Sequence, residues 1–112
     1  MVMLTIAGNA RFFICRHPVN MRKSFEGLGA IVEQLFPGGI FSGAYFIFLN
    51  RRKDHIKVLF WDKDGLVIWF ERLEKGSFAW KWEEQTTFDR RTFFMMLEGI
   101  TPKRLQDRYN MI

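Results

Sequence analysis

The sequence predicts an α+β domain, and three stretches carry that prediction. Tyr45 to Trp82 breaks into short aromatic and β-branched runs separated by polar or glycine-bearing turns, the pattern of an antiparallel meander. Met21, Phe25, Leu28, Val32 and Leu35 recur at steps of four, three, four and three, which is one face of an amphipathic helix spanning about Met21 to Phe36. Phe88, Thr92, Met95 and Met96 mark a second helical face, broadened by Phe93 and Leu97. The expected architecture is an antiparallel β-meander of four to five strands, with the 21–36 helix packed on one face and a C-terminal helix at about 88–98.

In chain order, Arg11 to Arg16 reads as an added first strand, with a buried-looking middle between two cations. Cys15 is most simply a small core residue, since no Cys-His-Asn arrangement accompanies it. His17-Pro18-Val19-Asn20 stops that strand, because proline cannot donate to a ladder, and Asn20 is a natural N-cap for the first helix. Gly29 costs that helix about 1 kcal/mol relative to alanine, which points to a close approach to the sheet. Pro37-Gly38-Gly39 ends it.

Within the meander the expected strands are Tyr45–Asn50, Ile56–Trp61, Leu66–Arg72 and Ser77–Trp82. Residues 51–55 are too polar for the interior and make the first turn. The second turn, 62–65, carries an Asp64-Gly65 pair whose glycine accepts φ > 0, and 73–76 makes the third. Both strand faces are rich: Leu66, Ile68 and Phe70 alternate with Val67 and Trp69, and Ile56, Val58 and Phe60 with Leu59 and Trp61. A sheet solvated on one side alternates more cleanly. The second face is therefore expected to be covered by the C-terminal helix or by a partner protein; an aromatic face beside Lys and Arg that stacks single-stranded bases is a further reading. Thr87 is the expected cap of the second helix, with Asp89 in its first turn. Gly99 and Pro102 end it, and 103–112 is expected to be a mobile basic tail on a single domain, 1–112.

The 112-residue chain is 48% hydrophobic and 17% aromatic, enough to bury a core without staples. Its single cysteine excludes an intramolecular disulfide and a cysteine-cluster zinc site, and suits a reducing cytoplasm. Met1–Ala10 lacks the basic opening of a signal peptide, and no run approaches the roughly 20 apolar residues of a membrane span. Net charge is +5. Residues 1–60 hold eight Lys/Arg against three acids, whereas 61–112 are balanced. A surplus confined to one half points to a polyanion, of which nucleic acid is the commonest; the alternative is that the charge serves solubility alone. Arg22 and Lys23 fall in the expected first helical turn, where the macrodipole favours acids, and Arg16 lies just upstream. Amide N–H groups, dipole and cations would converge there in an anion site.

Catalytic patterns are absent. His17 and His55 are the only histidines and have no metal-ligand spacing. Asp62 and Asp64 sit at a hairpin tip for turn reasons rather than as magnesium ligands. Gly39–Gly43 misses the nucleophile-elbow spacing by one residue, and there is neither a P-loop nor a dinucleotide fingerprint. The expectation is a protein that is not an enzyme and has no cofactor.

Two segments carry a family resemblance. Pro18-Val19-Asn20-Met21-Arg22-Lys23-Ser24-Phe25-Glu26-Gly27-Leu28 resembles a P-V-D-M-R-K-G-F-D-G-L segment. Ser42 to Phe48, Arg51-Arg52, Lys57 to Gly65 and Arg72 to Gly76 follow in the matching order. The family is the TnpB accessory protein of IS66 transposable elements, which is distinct from the RNA-guided nuclease of the same name. The likeness covers roughly Arg11 to Leu97, and its departures (Asn20, Ser24 and Glu26) remove no basic or aromatic position. The resemblance implies a small bacterial protein encoded beside the element's transposase and needed for the element's movement. It implies no settled molecular mechanism.

The reading that joins charge and resemblance is a non-catalytic accessory protein for transposition that binds DNA and assists the transposase. Arg16, Arg22, Lys23, Arg51, Arg52, Lys53 and Lys57 are expected to contact phosphates, which positions DNA without reading its sequence. The alternative is an adaptor that docks on the transposase through an aromatic sheet face, with Trp61, Trp69 and Trp80 as contact candidates. No small-molecule substrate and no membrane partner are expected.

Overall fold

Side-chain alternation and two short helices account for the architecture. The computed structural model describes residues 6–82 and 87–99. Its elements are β1 (Phe12–Ile14), α1 (Phe25–Leu35), a 3₁₀ turn (Gly39–Ser42), β2 (Tyr45–Leu49), β3 (His55–Asp62), β4 (Gly65–Arg72), β5 (Thr87–Phe88) and α2 (Arg90–Leu97). The strands form one five-stranded sheet in the order β4-β3-β2-β1-β5. β2, β3 and β4 make an antiparallel meander in which Val58 stands opposite both Ile47 and Trp69. β1 joins β2 in parallel, because the chain leaves β1, crosses one face as α1 and returns as β2. β5 pairs antiparallel with β1, Phe88 opposite Phe12. The α+β class and both helices agree with the sequence prediction.

With a side-chain period of two, this register sorts the strands onto two faces. Phe12, Ile14, Ile47, Leu49, Ile56, Val58 and Trp69 point to the first face. There they are buried with Phe78 and Trp80 of the segment after β4 and with Phe93 and Met96 of α2. Phe46, Phe48 and Leu59 point to the second face and are buried with Leu28 and Val32 of α1 and Ile40 of the 3₁₀ turn. Burying Leu28 (0% exposed) and Val32 (2%) contributes about 1.5–3 kcal/mol each. Packing of this kind, rather than propensity, holds a helix as short as α1. Each face has its own cover, which explains why neither looks polar in the sequence.

Several local features differ from the sequence expectation. Helix α1 begins at Phe25, not Met21. Asn20 does not cap it: its Oδ1 accepts the Arg22 N–H at 2.8 Å and its carbonyl accepts the Lys23 N–H at 3.1 Å, closing a turn ahead of the helix. A short amide side chain offers the backbone this alternative two residues on. Ser24 is the N-cap residue and Glu26 is the acid of the first turn, so the macrodipole rule is obeyed and Arg22 and Lys23 precede the helix. Ser77–Trp82 is not a strand. Gly76, at φ 77°, turns the chain away from β4, and Phe78 and Trp80 bury against the first face without joining a ladder. Thr87 lies in β5, and Asp89 caps α2 by accepting the Thr92 N–H at 2.9 Å. In the β3–β4 hairpin the left-handed residue is Lys63 (φ 47°), while Gly65 already pairs with Asp62. Gly29 faces Ile40 rather than the sheet, and a Cβ there would stand 3.4 Å from Ile40 Cδ1. The basic stretch 103–112 lies outside the described residues.

Candidate nucleic-acid interface

The topology puts the ends of β1, β2 and β4 and the start of β3 at one end of the sheet. Past β1 the chain runs on beside β2, with Cys15 N–H donating to the Ile47 carbonyl and Val19 N–H to the Leu49 carbonyl, both at 2.9 Å. That path sets the 18–21 turn against the β2–β3 loop. Pro18, Asn20, Met21, Arg51, Arg52 and His55 thereby line one open pocket of ≈ 430 Å³. The small crevice between α1 and the sheet is, by contrast, apolar and only ≈ 20 Å³.

A polar network ties the β2–β3 loop together beneath the pocket. Asn50 Oδ1 accepts the backbone N–H groups of Asp54 (3.1 Å) and His55 (3.0 Å). Its Nδ2 donates to Asp54 Oδ1 at 2.6 Å, and His55 Nδ1 lies 2.8 Å from the same oxygen. A carboxylate only accepts, so the Asp54 contact needs the His55 proton on Nδ1, whereas the Asn50 Nδ2, 3.1 Å from the same nitrogen, could donate only to the other tautomer. The Asn50 and His55 bonds hold the Asp54 carboxyl below the usual carboxylate range.

The seven expected phosphate contacts all fall at or near this end, but not on equal terms. Arg51 and Arg52 are exposed and line the pocket. Arg22 and Lys23 are exposed in the turn before α1. Lys57 Nζ donates to the Lys23 carbonyl at 2.9 Å, which ties that turn to β3. Arg16 is exposed just past β1 and does not line the pocket. Lys53 is turned inward: its ammonium donates to the Trp80 carbonyl and lies 5.1 Å from the Trp82 ring centroid. Its backbone is left-handed (φ 59°), and it serves to fasten the 77–82 segment. Among the described residues the ion pairs are His55–Asp54 at 2.8 Å and Arg72–Glu74 at 3.5 Å, so none of the seven is neutralised by a carboxylate.

The three tryptophans separate. Trp69 (8% exposed) and Trp80 (5%) belong to the first-face core, so neither ring is open to a docking partner. Trp61 is half-buried at the opposite end of the sheet, edge-on to the exposed Phe41 at 5.1 Å. Sequence reasoning overlooked His55, Phe70 and Arg72. It grouped Phe70 with Leu66 and Ile68 as one apolar stripe, yet Leu66 and Ile68 pack with the α1 cluster and Phe70 stays 49% exposed. The signal that could have found it is the alternation Phe70-x-Arg72, placed across the hairpin from Lys57 and His55.

Chemically, this end of the molecule presents guanidinium and ammonium groups, one positioned imidazole and one open aromatic ring. Among the described residues, no group of three or more His, Cys, Asp or Glu could hold a metal ion. No described helix is long and apolar enough to cross a membrane.

Comparison with known proteins decides the family. Residues 10–107 match the family model described as IS66 Orf2 like protein. The chain belongs to the IS66 Orf2-like family. The family is one associated with IS66 transposable elements. The uncharacterized protein y4jC of Sinorhizobium fredii is 29% identical over 68 residues, 61% of this chain and 58% of that protein. The uncharacterized protein y4hO of the same organism is 30% identical over 78 residues, 70% of this chain and 68% of that protein. The chain thus spans little more than half of y4jC. No solved structure matches it.

Proposed function

We propose that this family member is a non-catalytic DNA-holding subunit that assists the element's transposase. The observation that carries the reading is the gathering of Arg22, Lys23, Arg51, Arg52 and Lys57 about one end of the sheet with no carboxylate partner among the described residues. Arg16 adds to the same field from just past β1. Exposed guanidinium and ammonium groups grip phosphates and release counterions. Such contacts hold DNA in register and leave sequence choice to other parts of the machinery. Lys53 has no part in the grip, because its ammonium is turned inward onto the Trp80 carbonyl and the Trp82 ring, whereas the Lys57 ammonium sits at the exposed Lys23 turn.

Fluorescence anisotropy with a labelled duplex from the element's end tests this. The logarithm of affinity should fall linearly with the logarithm of salt, with a slope of about −0.9 for each phosphate neutralised. Absence of binding at low salt refutes the reading. The Phe41–Trp61 pair, with Phe41 69% exposed at the opposite end, favours a second contact, with the transposase. Loss of transposase pull-down by Phe41→Ala, with DNA affinity intact, assigns the two partners to the two ends.

A further inference from the structure

On the second face α1 covers Phe46, Phe48 and Leu59 but stops short of the corner where β3 begins and β4 ends. Register puts four side chains of that corner on the same face: His55 opposite Arg72, and Lys57 opposite Phe70. Directly opposite residues of an antiparallel pair have Cβ atoms only about 5 Å apart, so the four form a compact grid. Phe70 is its one apolar member and keeps 49% of its surface exposed. The His55 ring stacks beside it at 5.8 Å with planes 29° apart, and Lys57 Nζ lies 5.4 Å from its centroid. The ring is thus open on a face where Phe46 and Phe48 are covered, and it has the Lys57 ammonium and the His55 imidazole beside it.

His55 also lines the pocket that holds Arg51 and Arg52, so the grid and the pocket form one continuous surface. Its nearest acids are already occupied. Asp54 is held by Asn50 and His55, and Glu74 lies 3.5 Å from Arg72. Glu26, in the first turn of α1, is the acid on the neighbouring element. Arg51, Arg52 and Lys57 have no carboxylate partner among the described residues, which suits a polyanion that carries flat apolar groups.

Resting on the DNA reading above, we propose that this corner binds single-stranded DNA, with a base laid on Phe70 beside His55 and the flanking phosphates on Arg51, Arg52 and Lys57. A duplex hides its base faces in its own stack and can use only the cations. An unpaired strand can use both, since every base has a face to stack on an aromatic side chain.

The test is anisotropy with three probes of equal length: an unmodified thymidine strand, an abasic strand of the same charge, and a duplex. The unmodified strand should bind about tenfold or more tighter than the abasic one, as expected for one stacked base. Phe70→Leu should abolish that difference and leave the duplex unchanged, while Phe70→Tyr should restore it. Melting temperatures of both variants near that of the parent show that folding is intact. A duplex bound as tightly as the strand, or an unmodified strand bound no better than the abasic one, overturns the stacking inference and leaves the phosphate grip standing. Failure of all three probes at low salt ends the DNA reading itself. Loss of transposase pull-down by Phe70→Leu, with strand binding unchanged, reassigns the corner to protein contact and overturns the inference.

Discussion

Ile56 and its two neighbours in β3 contain the molecule's main contrast. Ile56 points to the first face and is 0% exposed, under the segment that follows β4 and α2. His55 and Lys57, one residue to either side, point to the second face and stay half-buried beside the open ring of Phe70. The strands are the same, but their covers differ. The first face is sealed by two pieces of chain that carry Phe78, Trp80, Phe93 and Met96 down onto it. The second is covered by one short helix and a 3₁₀ turn, whose cluster takes in Leu59 of β3 and Ile68 of β4 but not Lys57 or Phe70, the next residues of that face towards the basic end. A sheet face is a core or a surface according to the length of the element laid across it.

The largest test of that contrast is Phe93→Ala against Phe70→Ala. Phe93 is fully buried and stacks on Phe12 at 4.6 Å, so its truncation should cost about 3–5 kcal/mol in denaturant unfolding. Phe70→Ala should cost about 1 kcal/mol or less. Equal costs would mean that Phe70 is a core residue and the contrast false. Next in size is the Arg51→Ala, Arg52→Ala double variant. It should flatten the salt dependence of duplex binding by about 1.5–2 in slope while unfolding within about 0.5 kcal/mol of the parent. An unchanged slope would remove these two side chains from the grip.

Asp89→Ala probes the cover of the first face, because Asp89 caps α2. The expected loss is about 0.5–1 kcal/mol near neutral pH. The Thr92 N–H bond keeps the Asp89 carboxyl below its ordinary range. A depressed carboxylate stabilises the fold above its unfolded pKa of about 3.9, and the contribution fades as pH falls through the lower folded value. The gap between parent and variant should therefore close in strongly acidic solution, which acid-range melting curves will show. Gly29→Ala, on the helix that covers the second face, is the smallest effect and runs the other way. The Cβ position meets Ile40 Cδ1 at 3.4 Å, an ordinary contact, so better helix propensity should stabilise by about 0.5–1 kcal/mol. Destabilisation would show that α1 sits closer to its neighbour than this spacing allows.

Most of the sheet was legible from alternation. Tyr45–Leu49, His55–Asp62 and Gly65–Arg72 match the expected strands to within a residue at each end. Ser77–Trp82 misled because Phe78, Trp80 and Trp82 alternate like a strand; burial in an irregular segment imposes the same pattern on every second residue. The start of α1 misled because Met21 keeps the helical spacing while the Asn20 side chain closes a separate turn. Of the seven candidate cations, composition revealed that they were in surplus in the first half of the chain. It could not reveal that Lys53 turns inward, since that depends on a carbonyl 27 residues away.

Spacing and composition already specify the α+β class, the amphipathic helix, the meander, the family and the sign of the charge. Each of these is a local or summed property, written in spacing and residue type. It took the three-dimensional fold to place β1 in parallel between β2 and β5, to set the 18–21 turn against Arg51 and Arg52, and to leave Phe70 outside the cluster that Leu66 and Ile68 pack against. Those facts depend on which distant segments share a face and where a helix ends above it. No periodicity within a single strand carries that information.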